Sequence, residues 1–246
     1  MSMPDGLVKI NLQGQVMEGT TEMETVEKRR VESLENGSYR YLVIDEVEKQ
    51  TMTLMGQAQP MPPKVNPLVG IPVIVTKGAD GVWVANLEEG EVTPETVTKL
   101  DDIADGLNDD EDAKLYGTEP RKVGDEWEVE SADLMGVENG KGVFKLKFES
   151  IEEHEGVRCA KITGNFEIKG TEGEDEGEEG ADEMTITLTG DYLAYRSLEG
   201  RYDVSKKMDG SMSVKGDMEP QPGMTMQMDM TGKIKADGTV RLIEGE

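Results

Sequence analysis

The segment Met224-Thr225-Met226-Gln227-Met228-Asp229-Met230 sets four thioethers at strict period two. On a β-strand they project from one face, spaced about 7 Å apart along the chain. Thioethers so arranged suit a soft ion such as Cu(I), or form a pliable wall against an apolar ligand. They equally suit plain core packing, because Met52, Met55, Met184, Met212 and Met218 occupy comparable positions in a chain with 16 methionines. Burying one Met side chain stabilises a fold by roughly 1.5 to 3 kcal/mol, so packing needs no further function to explain the pattern.

Other chemistry is sparse. His154 is the single histidine and Cys159 the single cysteine, which excludes an intramolecular disulfide and a Cys-based zinc site. A Ser-His-Asp or Cys-His arrangement would have to use His154, and Glu152-Glu153-His154-Glu155-Gly156 reads as an exposed hairpin turn. Acidic clusters at Asp101-Asp102, Asp109-Asp110-Glu111-Asp112 and residues 172 to 179 lack the alternating ligands and central glycine of an EF-hand loop. The glycines punctuate strands and never lead into Lys-Ser or Lys-Thr at a helix start, so no phosphate-binding loop is present. No cofactor, metal or catalytic residue is expected.

Charge narrows the partners. The 52 acidic residues outnumber the 26 basic ones, and the formal charge of −26 repels nucleic acid and anionic membrane surfaces. Aromatic residues are only 4% of the chain, too few to furnish the sugar platforms of a glycosidase, so a core must come from Val, Ile, Leu and Met. No run approaches the length of an apolar membrane span, and no export signal opens the chain.

The elements that must position these residues are mostly strands. Residues 7 to 18 alternate apolar and polar, which predicts one half-buried strand. Asn36-Gly37 predicts a hairpin turn into residues 39 to 47, and a reversal near Lys49-Gln50 leads to residues 51 to 55. Pro60, Pro62, Pro63 and Pro67 mark a loop, and residues 69 to 77 and 82 to 85 form a hairpin carrying Trp83. Thr93 as N-cap, Pro94 at the first helical position and Val97, Leu100, Ile103, Ala104 and Leu107 at helical spacing predict a helix, with a second short one closing at Gly117, together a helical insertion over 93–116. Strands resume at 123–130, 142–152, 157–169, 184–197, 201–204, 212–218, 224–235 and 239–243. Residues 171–183 form an acidic, low-complexity loop.

These features predict a mainly β protein, a single antiparallel domain over 7–243. Glycines on the apolar faces of long strands favour a strongly curved sheet, a half-barrel or open barrel, with one main helix packed on it. The phrase Lys122-Val123-Gly124-Asp125-Glu126-Trp127-Glu128-Val129, with Ala160-Lys161-Ile162 and Gly200-Arg201-Tyr202-Asp203 after it, resembles an uncharacterised family of exported bacterial β proteins. The architecture attached to that resemblance is the LolA/LppX-like lipoprotein-carrier fold, in which helices plug the apolar cavity of a curved half-barrel. It implies a non-enzymatic protein of the bacterial cell envelope, periplasmic or lipid-anchored, that holds an apolar, lipid-like molecule between helix and sheet. The export signal and lipidated cysteine usual in that family are absent here, which leaves a cytoplasmic location as the alternative. The ligand-cavity candidates are Val97, Leu100, Ile103, Met184, Leu188, Met212, Met226 and Met228. Rival readings are a structural domain that self-associates through a sheet edge, a Met-based copper-binding protein and a carboxylate-dependent hydrolase.

Overall fold

The structure is a computed structural model that describes residues 1–12, 14–35, 37–109, 111–130, 141–172, 184–221 and 224–242. Among these residues thirteen strands and two helices follow one another: β1 (Ser2–Leu12), β2 (Gln15–Ser33), β3 (Tyr39–Leu54), β4 (Gln57–Pro60), β5 (Lys64–Val65), β6 (Pro72–Lys77), β7 (Trp83–Leu87), α1 (Pro94–Asn108), α2 (Glu111–Tyr116), β8 (Glu126–Glu130), β9 (Lys141–His154), β10 (Val157–Glu172), β11 (Met184–Ser197), β12 (Asp203–Gln221) and β13 (Met224–Thr239). The protein is mainly β and its strand ladders are antiparallel, as its alternating pattern predicts. Two compact units share the chain, one of Met1–Glu22, Thr51–Pro60 and Gly117–Glu246, the other of Met23–Gln50 and Met61–Tyr116.

In the larger unit the strand order is β1-β13-β12-β11-β10-β9-β8, an open sheet in which β8 to β13 neighbour one another in chain order and β1 pairs with β13. Residues opposite one another on antiparallel strands share a face, so the register defines successive apolar rows. Phe144, Phe166, Gly190, Gly210 and Ile234 make one row; Ile168, Leu188, Met212 and Gly232 make the next. Phe144 and Phe166 stack at 5.5 Å, and Tyr192 meets Phe144 edge-on at 6.3 Å. These side chains, with Leu146 and Ile168, are buried and form the unit's core.

Glycine is needed where two of these long strands approach each other closely. A Cβ on Gly210 would lie 2.2 Å from the Thr189 carbonyl oxygen, and one on Gly190 would lie 2.6 Å from that of Asp209 and 2.8 Å from the Phe166 ring. The two glycines are direct partners, so both strands surrender a side chain at the same rung and the backbones close in. Phe166 fills the space they leave.

In the smaller unit the order is β7-β6-β3-β2, with β5 on β3. The expected helix forms as α1. The Thr93 hydroxyl accepts from the Thr96 amide at 3.2 Å, and the Thr96 hydroxyl accepts from the Thr93 amide at 2.7 Å, a reciprocal capping box. Leu100 enters a core of Val43, Leu68, Val73, Val75 and Ala85, with Ile103, Ala104 and Trp83 against it. At the far end of α1 the Asn108 amide donates to the Trp83 carbonyl and accepts from the Trp83 amide at 3.0 and 2.7 Å. One side chain thus imitates a neighbouring strand and caps the start of the edge strand β7.

Several strand boundaries differ from the alternation. Residues 7 to 18 are two strands, because the chain reverses at Gly14, whose amide bonds to the Asn11 side chain at 3.0 Å. The expected reversal at Lys49-Gln50 is absent; β3 runs straight to Leu54 and turns at Met55-Gly56, with φ of 52° and 78°. Residues 203–204 and 212–218 belong to the single strand β12, which starts at Asp203, and 224–235 and 239 belong to β13. Most of the acidic loop at 171–183 lies outside the described residues.

Candidate functional site

The larger unit gathers five of the candidate residues on one face. Met184 pairs with Gly216, Gly216 with Met228 and Met228 with Ile10, a single row across four strands. Met226 lies one rung beyond, opposite Leu12, while Leu188 and Met212 are direct partners two rungs inward. Leu188 is buried, but Met184, Met212, Met226 and Met228 are each only half-buried, as is Met230. The apolar face therefore has a closed aromatic half and a methionine half still reachable from solvent. The Met224 and Met218 side chains lie outside those described.

The three helix candidates belong to the smaller unit. Leu100 is 7% exposed within its core, Ile103 packs against the same core, and Val97 is 41% exposed on the outer side of α1. The structure thus ties Leu100 and Ile103 to the smaller unit's own packing.

A hollow of about 310 Å³ opens where β1, β11, β12 and β13 run side by side, on the face opposite the methionine row, since Thr187, Ser213 and Thr231 alternate with Leu188, Met212 and Gly232. Its lining is largely hydroxylic, including Thr187, Thr189, Ser211 and Thr231, with Asp5 and Lys233 at the rim. Thr189 and Ser211 share a hydrogen bond at 3.0 Å, so these hydroxyls partly satisfy one another.

His154 departs from the expectation of an exposed turn. The turn consists of Glu155 and Gly156, both in the left-handed region, and His154 is the half-buried last residue of β9. Its ring lies parallel to that of Tyr195, 3.8 Å away with planes 4° apart, and its Nε2 shares a 2.9 Å hydrogen bond with Ser205 Oγ. Lys161 Nζ sits 5.9 Å from the Tyr195 ring centre. Sequence separation hid this cluster, since histidine and serine stand 51 positions apart. A serine-histidine pair is the start of a nucleophilic site, but Ser205 is only 7% exposed, on a strand paired on both sides. The contact ties the β9–β10 hairpin tip down onto β11 and β12.

Cys159 is fully buried, and that burial pushes its thiol pKa up, which leaves it an inert packing residue. On the neighbouring strand, where Ser197 lies opposite Cys159, Arg196 and Asp203 form a largely buried ion pair at 3.1 Å that closes the β11–β12 connection. In the smaller unit, the Arg40 guanidinium grips Glu88 through Nε at 2.9 Å and through Nη2, lowering the Glu88 carboxyl pKa and raising its own. Among the described residues, no three His, Cys, Asp or Glu side chains converge as a metal site.

No helix among the described residues is long and apolar enough to cross a membrane. Compared with known proteins, the chain matches no family model, no curated protein and no solved structure.

Proposed function

We propose that this is a non-enzymatic binding protein whose ligand is an apolar, acyl-chain-like molecule held on the methionine half of the larger unit's sheet. The observation that supports it is the row Met184–Gly216–Met228–Ile10 with Met226 and Met212 around it: thioethers on one face and only half covered. Unbranched, polarizable side chains adapt to a flexible chain at little cost, and such surfaces suit ligands of varied shape. The neighbouring aromatic half gives that pliable surface a rigid backing. Service in the bacterial cell envelope is part of the proposal and rests on the resemblance around Val123-Gly124-Asp125-Glu126-Trp127.

Titration with an environment-sensitive apolar dye, followed by displacement with a fatty acid, tests the reading. Binding that saturates at one site and is lost in Met228→Glu supports it. Equal dye binding in wild type and Met228→Glu would refute the site, and no binding at all would refute the class of ligand.

A further inference from the structure

Two kinds of methionine share the larger unit. Met3 is 2% exposed, and its sulfur fills the space that two glycines leave, 2.6 Å from where a Cβ on Gly6 would stand and 2.7 Å from one on Gly232. An oxygen atom added to that sulfur has no room. Met184, Met212, Met226 and Met228 are only half-buried. Met226 and Met228 stand about 7 Å apart along β13, and between Met228 and Met184 comes Gly216, which has no side chain to cover either sulfur. The single cysteine offers no competing target, because Cys159 is fully buried and its thiol pKa is pushed up.

We infer that the methionine face is a site of reversible oxygen-atom transfer, at which a peroxide turns Met184, Met212, Met226 and Met228 into sulfoxides and so expels an apolar ligand. The release rests on the acyl-chain reading proposed above; the oxidation does not. In each step the sulfur lone pair attacks one peroxide oxygen, the O–O bond breaks as the S–O bond forms, and the other oxygen leaves as water with the proton of the first. Sulfur loses two electrons and the peroxide gains them. Reversal takes two thiols of a reductase, which end as a disulfide while the sulfoxide oxygen leaves as water.

A sulfoxide oxygen laid against an acyl chain meets no hydrogen-bond donor, so a surface that held the chain by apolar contact now opposes it. The fold leans on other atoms. Phe144, Phe166, Tyr192 and Ile168 close the aromatic half, and Met3 is sealed.

Hydrogen peroxide treatment of the full chain, read by peptide mass mapping and by binding of a dye that fatty acid displaces, tests this. The four sulfurs should oxidise after Met55 and Met61, which are 73% and 51% exposed, while Met3 stays reduced and the circular dichroism stays native. Dye affinity should fall about tenfold or more, and a methionine sulfoxide reductase with a dithiol should restore it. Met184→Leu, Met212→Leu, Met226→Leu and Met228→Leu combined, swaps of similar volume, should give a protein that binds the dye equally before and after peroxide. Protection of the four sulfurs as complete as that of Met3 would overturn the inference. Undiminished binding by the oxidised face would do the same, as would loss of binding when peroxide meets the leucine variant. The wild-type map and its reversal stand whether or not that variant folds. Untreated protein that binds no dye would refute the acyl-chain reading and the release with it, and the mass map would still decide the oxidation site.

Discussion

The imidazole of His154 lies flat on Tyr195 at 3.8 Å while its Nε2 meets Ser205 Oγ at 2.9 Å, so one side chain joins the end of β9 to both β11 and β12. This contact should govern the hairpin tip and not a reaction. Ser205→Ala is expected to cost about 1 kcal/mol, the net worth of one hydrogen bond. His154→Ala should cost more, roughly 1.5 to 3 kcal/mol, because the ring stacking goes with it. Denaturant unfolding of the two variants checks the order. A fluorophosphonate probe should leave Ser205 unlabelled, since that residue is 7% exposed; labelling that depends on His154 would reopen a nucleophilic role.

The larger sheet should not tolerate a side chain at its paired glycines, Gly190 and Gly210. Gly210→Ala drives a Cβ to within 2.2 Å of the Thr189 carbonyl, and relief requires the two strands to part. A loss of about 1 to 3 kcal/mol or more is expected, with Phe166→Ala costing about 3 to 5 kcal/mol at the same place. Thermal unfolding measures both. Indifference at Gly210 would mean that the strands are not held this closely.

Acid should act on the smaller unit through Glu88. Its carboxyl pKa is lowered by the hydrogen bond and charge of Arg40, so the folded state holds this proton less tightly than the unfolded chain does. The resulting stabilisation is present in full above the carboxylate's ordinary pKa and disappears as pH falls through the lowered folded value. Wild type and Arg40→Met should therefore differ in melting temperature at neutral pH and converge toward pH 3. A gap of constant size across that range would show that Arg40 acts by packing alone.

The fold class was readable because period-two alternation reports burial on one face, and residues such as Met184, Leu188 and Gly190 obey it throughout β11. The α1 start was readable because Thr93, Pro94 and Thr96 act locally. Strand ends were harder. Alternation continues unbroken through a tight reversal, which is why residues 7 to 18 read as one strand across Gly14, and a polar pair such as Lys49-Gln50 resembles a turn while lying within a strand. The site was legible in the same proportion. Met226 and Met228 announce their shared face by spacing, whereas their alignment with Met184 comes from a register that only the assembled sheet sets. His154 with Ser205 had no sequence signal at all, since neither neighbourhood hints at the other.

Native mass spectrometry of gently purified protein, with the same sample denatured alongside, tests the central claim most directly. Wild type should shed the mass of an acyl-chain lipid on denaturation, and Met228→Glu should carry none. Release of copper would assign the thioethers to a metal, and identical masses before and after denaturation would contradict a carried ligand and leave the methionine face as packing.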